Sequence, residues 1–351
     1  METILNPRQL RCPVTDASQV AAARRVAALL AAQQGFNTTR AGELAIVVSE
    51  AASNILKHAG HGEILLRPLH AGSDAGIEML ALDSGPGMSS LLASMQDGRT
   101  TAGTYGVGLG AMRRLSSGFD AYTAPGQGTV LYLALWRDAQ PAPGQPGLPP
   151  EHGMALDVGV VCLPMDGETE CGDGWALACG ATGATVVVAD GLGHGPLAAD
   201  ASRLAAQTVL AQPERSAADL LENAHQALRG TRGAAVAVVR IDMLAGALRM
   251  AGVGNIACHV WSAGVRRQMV SHNGIVGSNM RKVQEFAAQW GEDGMLLLHS
   301  DGLGSRWNLD DYPGLVSRHP AVIAAVLYRD FSRRRDDVTV LVLRDRQAGL
   351  P

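Results

Sequence analysis

The chain has 351 residues, 47% apolar and 18% charged, with a formal net charge of −4. That length allows two ordinary domains with separate cores, and the composition excludes a disordered chain. Residues 1–137 carry 11 Lys/Arg against 10 Asp/Glu and the remainder 18 against 23, so neither part has the basic excess that phosphate-backbone binding needs, and no nucleic-acid partner is expected.

In chain order, Asp16 is placed to cap a helix running to about Gln34 and closed by Gly35. A second helix is expected from about Thr39 to His58, stopped by Gly60. Strands follow at Glu63–Leu69 and Ile77–Leu82, joined by a turn in HAGSDAG. A glycine-rich loop leads into a short helix, Gly106–Ser117, and a last strand spans Thr129–Trp136. Helices and strands in this order predict a layered α/β sandwich.

The stretch DAQPAPGQPGLPPEHG, Asp138 to Gly153, holds five prolines and three glycines. It cannot join a helix or a central strand and reads as a semi-stiff linker. Domains are therefore expected at 1–137 and 154–351, with the linker at 138–153. Beyond it, strands are expected at Ala155–Leu163, Trp175–Cys179, Ala184–Ala189, Ala234–Ile241, Ala247–Ala251, Ile256–Trp261, Met295–His299 and Val338–Leu343. Helices fit Pro196–Ala211, Ala217–Leu228 and Pro320–Arg329, which together predict two sheets flanked by helices. The five cysteines are odd in number and form no CxxC pair, which points to reduced thiols in a cytoplasmic protein. The N-terminus is too polar for a signal peptide and no apolar window is long enough to span a bilayer, so no membrane partner is expected.

Three motifs stand in order before the linker. SEAASNILKHA places Glu50 and Asn54 one helical turn apart, flanking the apolar stripe of Leu44, Val48, Ala51 and Ile55. A carboxylate beside an amide can position a proton acceptor and an Mg2+ ligand; an ordinary polar helix face reads the same way. In LDSGPGM, Asp83 ends an apolar strand, and Gly85 and Gly87 permit a tight turn. Such a carboxylate can accept a hydrogen bond from an exocyclic amine like that of adenine. In GTYGVGLGAMRRL, Gly106, Gly108 and Gly110 precede a helix, where free N–H groups favour phosphate. GQGT, ending at Thr129, completes the set.

In this order the motifs resemble the N, G1 and G2 boxes of the GHKL (Bergerat-type) ATPase fold, most closely its RsbT/RsbW-like anti-sigma-factor serine kinases. The resemblance covers roughly residues 10–137. It implies ATP and Mg2+ as cofactors, Glu50 as general base, Asn54 as Mg2+ ligand and Asp83 as adenine contact. Only about 18 residues separate Gly87 from Gly106, so the lid over the nucleotide is short. No phosphoacceptor-histidine hairpin precedes the domain, which favours a protein substrate.

After the linker, aspartates recur: Asp173 in CGDGW between two expected strands, and, abutting apolar runs, Asp190 in VVVADGLGHG, Asp301 in LLLHSDGLG, and Asp336 and Asp337 in RDDVTVLVL. A single Asp-Gly is ordinarily a turn. Several carboxylates converging at one end of a sandwich repel unless cations neutralise them, and an all-oxygen donor set selects Mg2+ or Mn2+. Gly191 leaves its carbonyl open to an ion. His194 reads as part of the turn before the next helix, and Arg333, Arg334 and Arg335 as a solvated charge run.

These motifs, with GVGN (Gly252–Asn255) and DDVT, resemble the SpoIIE/RsbX branch of the metal-dependent PPM serine/threonine phosphatases over about residues 154–345. The implied fold is an α-β-β-α sandwich. The implied site holds two Mn2+ or Mg2+ ions, with Asp190 bridging both, Asp173 holding one, Asp301 and Asp336 completing the other, and Gly191 lending its carbonyl. Together the halves predict a bifunctional partner-switching regulator acting on STAS-domain phosphoproteins or sigma-regulatory proteins. The alternative is a nucleotide-dependent adaptor module that delivers an active phosphatase. Oligomeric state is left open.

Overall fold

In the computed structural model the described residues are 2–71, 74–91, 108–138 and 156–345. Gly106 and most of the expected linker lie outside them. The chain forms two compact units, and neither is continuous in sequence. One comprises Pro7–His152 with Tyr312–Arg329; the other comprises Met1–Asn6, Gly153–Asp311 and Asp330–Pro351. The exchange departs from the single division expected at the linker. Its physical basis is that one strand and one helical segment find their apolar partners far away in sequence.

The first unit is built on five antiparallel strands: β2 (Leu10–Val14), β3 (Gly62–Ala71), β4 (Asp74–Asp83), β5 (Gly118–Thr123) and β6 (Thr129–Trp136). They lie in the order β2-β3-β4-β6-β5. Strands β3 and β4 run longer than expected and take up most of the HAGSDAG stretch. Helices α1 (Ala17–Gln33) and α2 (Thr38–His58) cover the inner face. Asp16 caps α1 by accepting from Ser18 and Gln19 N–H, and Asn37 caps α2 by accepting from Arg40 N–H. The apolar stripe of α2, Leu44, Val48, Ala51 and Ile55, joins Ile64, Leu66, Ile77, Met79, Leu131 and Leu133 in one core. A short helix, α3 (Leu109–Leu115), adds Leu109 and Met112 to it.

The outer face of this sheet is also buried. Alternation along β3 and β4 puts Arg67 and Glu78 there as directly opposed partners. They form a bidentate ion pair at 3.0 and 2.7 Å. Residues 312–329 supply contacts on this face: the His319 ring stacks on Tyr132 at 4.1 Å, and Asp120 accepts from His319 N–H at 2.6 Å. Most of that segment is the first part of a helix, Pro320–Phe331, whose residues 320–328 are all buried. A helix apolar on every side must be enclosed.

The second unit holds two antiparallel sheets packed face to face. The six-stranded sheet has the order β1-β8-β9-β10-β11-β14 and the five-stranded sheet the order β13-β12-β15-β16-β7. The strands are β1 (Glu2–Leu5), β7 (Leu156–Leu163), β8 (Asp173–Cys179), β9 (Gly183–Gly191), β10 (Ala234–Asp242), β11 (Ala247–Val253), β12 (Ala257–Ser262), β13 (Val265–Met269), β14 (Phe286–Gln289), β15 (Met295–His299) and β16 (Val338–Asp345). Side chains such as Val158, Val160, Trp175, Val186, Val188, Leu296, Leu298 and Leu341 fill the space between the sheets. Helices α4 (Pro196–Leu210) and α5 (Ala217–Ala227) lie over the outer face of the larger sheet, with Ala205, Val209, Leu220 and Leu221 against Val187, Val236 and Val238. The helix Pro320–Phe331, numbered α6, follows in chain order.

Candidate functional sites

In the two-sheet unit, β8 begins two residues earlier than its apolar run, at Asp173, because Asp173 pairs directly with Asp190 of β9. Directly opposed residues of an antiparallel pair share a face, so the two carboxylates are neighbours. Asp301 lies two residues past β15, and Asp336 and Asp337 lie just before β16, the antiparallel partner of β15. Two sheet ends therefore present their aspartates at one edge of the sandwich. Gly191 closes β9 where a Cβ would collide with the Ala198 carbonyl at the start of α4, so only glycine fits there.

The electrostatics record how close these groups are. Asp173 is 1% exposed; burial, then the charge of Asp190, pushes its pKa well above the usual carboxylate range. Its Oδ2 accepts from Ser300 Oγ at 2.6 Å, while its Oδ1 is buried with no hydrogen-bond partner. Asp190 is pushed up to about 7 by burial, then by Asp301, Asp336 and Asp337. Asp336 is raised by burial and then by Asp301. Burial also raises Asp337, and hydrogen bonds from Met165 and Gly172 N–H, both 2.9 Å, oppose that rise. With both oxygens engaged by backbone, Asp337 holds the 165–172 segment against β16. Asp301 Oδ2 accepts from Asn255 Nδ2 at 2.7 Å, a contact that only the GVGN motif hinted at. His194 pairs with Glu168 at 2.7 Å in the turn before α4.

Among the described residues no three His, Cys, Asp or Glu side chains close around one point as a ready-made cage. Asp190 is the group on which the others converge, since Asp301, Asp336 and Asp337 all raise it. A buried carboxylate oxygen without a donor, beside several like charges, fits hard divalent cations.

In the first unit, Glu50 and Asn54 stand one turn apart on α2, both partly exposed. Asp83 ends β4, and its Oδ1 accepts from Gly85 N–H at 2.9 Å and from Thr129 N–H at 3.2 Å. Burial raises its pKa, and those hydrogen bonds oppose the rise. Gly87 adopts φ +66°, and a Cβ there would strike the Ala124 carbonyl, so the turn after Asp83 requires glycine. Thr129 opens β6, with its hydroxyl 3.2 Å from that of Thr123. Gly108 is the N-cap of α3, and Gly110 is buried in its first turn. Arg329 donates to the Asp83 carbonyl at 3.0 Å. Sequence reasoning missed Arg329, because nothing in an alanine- and valine-rich helix 246 residues away marks it as a neighbour of Asp83.

The folds and sites define a kinase-like ATPase domain joined to a PP2C-type phosphatase domain of the partner-switching kind. Residues 13–135 match the histidine kinase-like ATPase domain, and residues 180–346 match the stage II sporulation protein E (SpoIIE) domain. Serine/threonine-protein kinase RsbT of Bacillus subtilis (strain 168) is 32% identical over 117 residues, 33% of this chain and 88% of RsbT. The chain belongs, through its first unit, to the RsbT family. Phosphoserine phosphatase RsbX of the same organism is 25% identical over 195 residues, 55% of this chain and 94% of RsbX. A solved structure described as part of the bacterial stressosome, a modular system adapted to control secondary messenger signalling, superposes with a TM-score of 0.51 at 30% identity, over 54% of this chain and 99% of its own.

Proposed function

We propose that the two-sheet unit is a phosphoserine/phosphothreonine phosphatase dependent on two Mn2+ or Mg2+ ions, and that the first unit is an ATP-dependent protein serine kinase. Both act on one phosphorylation switch, with a STAS-domain protein as the substrate class. The observation that carries the reading is the gathering of Asp173, Asp190, Asp301 and Asp336 at one sheet edge, with Asp173 Oδ1 buried and unpartnered. The likeness to RsbX and RsbT supports the pairing of activities.

In this reading Asp190 would contribute to holding both ions, Asp173 would hold one, Asp301 and Asp336 would hold the other, and Gly191 would lend its carbonyl. Divalent ions, when bound there, would supply Lewis-acid chemistry to a phosphoester and to water. The aspartates would accept hydrogen bonds from water. In the first unit Glu50 accepts the proton of the substrate hydroxyl, Asn54 ligates Mg2+, and Asp83 accepts from the adenine amine. Gly85, Gly87, Gly106, Gly108, Gly110 and Thr129 shape the nucleotide pocket. Tethering both activities raises the effective concentration of each near a shared target.

The test is hydrolysis of a phosphorylated STAS protein by purified full-length chain with Mn2+. The wild type is expected to release phosphate, Asp190→Asn to lose release, and Glu50→Ala to keep it. Equal hydrolysis by wild type and Asp190→Asn would overturn the phosphatase assignment.

A further inference from the structure

The structure assigns Ser300 as the residue that positions Asp173 for its metal ion: it caps one carboxylate oxygen and leaves the other open. This rests on the metal-dependent reading above.

Ser300 is fully buried one residue past β15. Its N–H donates to the Thr339 carbonyl at 3.1 Å, and its Oγ accepts from Thr339 N–H at 2.9 Å. A hydroxyl carries one proton. With an Oγ lone pair taken by the backbone of β16, that proton is directed to Asp173 Oδ2, 2.6 Å away. Donor and acceptor roles are therefore settled by the backbone and not by a freely rotating hydroxyl.

Thr339 belongs to the five-stranded sheet and Asp173 to the six-stranded sheet. Ser300 thus ties the two sheets together at the edge where the aspartates gather. It also breaks the symmetry of the Asp173 carboxylate: Oδ2 is occupied and Oδ1 is buried with nothing to receive. A cation is the partner that completes it.

The Ser300 backbone is itself held from the far side. His299 Nδ1–H donates to the Ser300 carbonyl at 2.8 Å, and His299 Nε2 accepts from Trp307 Nε1–H at 3.3 Å. Both imidazole nitrogens are engaged in a way that suits the neutral ring, and burial lowers the pKa of His299. A chain of contacts therefore runs from Trp307 through His299 and Ser300 to Asp173. Partners that orient a ligand in this way typically change metal affinity ten- to a hundredfold when removed.

The experiment is calorimetric titration of MnCl2 into EDTA-treated, desalted full-length protein, with a parallel thermal melt of the metal-free chain. Ser300→Ala is expected to raise the Mn2+ Kd of one site about ten- to a hundredfold. Ser300→Thr, which keeps the hydroxyl, is expected to stay within about threefold of wild type. If Ser300→Ala does not fold, Ser300→Cys, of similar volume and with a weak donor, carries the same expectation. A purely structural role for Ser300 would lower the metal-free melting temperature and leave the Kd unchanged. That result, or equal loss in the Ala and Thr variants, overturns the assignment. Wild type that binds no Mn2+ overturns the metal-dependent reading itself.

Discussion

Replacing Asp190 by Asn is expected to stabilise the metal-free chain while abolishing its response to Mn2+. In the fold the carboxyl of Asp190 is pushed from 3.8 to about 7, first by burial and then by Asp301, Asp336 and Asp337. Below the unfolded value the group is protonated in both states and costs nothing. As pH rises from 3.8 toward 7 the unfolded chain ionises and the folded chain resists, so stability falls across that window. At about 1.4 kcal/mol per pKa unit the full effect is about 4.5 kcal/mol at pH 8, and access of solvent to the half-buried side chain makes this an upper bound. Asn has the same shape and no charge to lose. In EDTA at pH 8, Asp190→Asn should melt several degrees above wild type, at roughly 2–4 °C per kcal/mol for a unit of this size. The gap should narrow toward pH 5. Saturating Mn2+ should then raise the wild-type transition and leave the variant in place. A variant that melts at or below wild type in EDTA at pH 8, or a gap that ignores pH, would refute the claim that these aspartates repel one another.

Other outcomes follow from the same geometry. Glu50→Ala should abolish transfer of radiolabelled phosphate from ATP to a STAS protein while leaving nucleotide binding within about threefold of wild type, read by a fluorescent ATP analogue; unchanged transfer would refute Glu50 as the general base, and a wild type that transfers none would favour the adaptor alternative. Asp83→Asn should weaken that binding at least about tenfold, since the amide presents a donor where the adenine amine needs an acceptor. Arg67→Ala should destabilise the first unit by about 3–5 kcal/mol by leaving Glu78 buried and unpaired, whereas replacing both with Leu should cost far less; chemical denaturation measures both. Cleavage by a protease inserted in the Pro/Gly stretch should yield two fragments that still co-elute on gel filtration, because residues 2–5 pair with β8 and residues 312–329 belong with the first sheet.

The caps and stripes of α1 and α2 are legible in sequence because those signals are local: Asp16, Asn37 and a 3.6-residue apolar period. The strand-end placement of Asp190, Asp301 and Asp336 is legible for the same reason, each beside an apolar run, whereas Asp173 stands between glycines and its pairing with Asp190 is not. Strands β1, β2 and β5 are not, being short and carrying Pro13 or polar residues such as Asp120 where alternation would be sought. Strand β13, with four of its five residues exposed, has no apolar pattern to read. Ser300 and Asn255 escape detection because their partners, Asp173 and Asp301, lie 127 and 46 residues away. The helix Pro320–Phe331 is plain as a helix, yet sequence position assigns most of it to the wrong body. Its apolar surface says only that it is enclosed and not by what.

The interleaved assembly of the two bodies also sets a timetable for synthesis. Strand β1 must wait for β8, more than a hundred and fifty codons downstream. The ATPase sheet keeps one oily side bare until residue 329 emerges. Translation therefore has to pass residue 329 before the first unit can close, and exposed apolar surface has to be shielded during that interval. A stop codon in the proline-rich stretch would not release a finished kinase-like domain; it would release one lacking its cover.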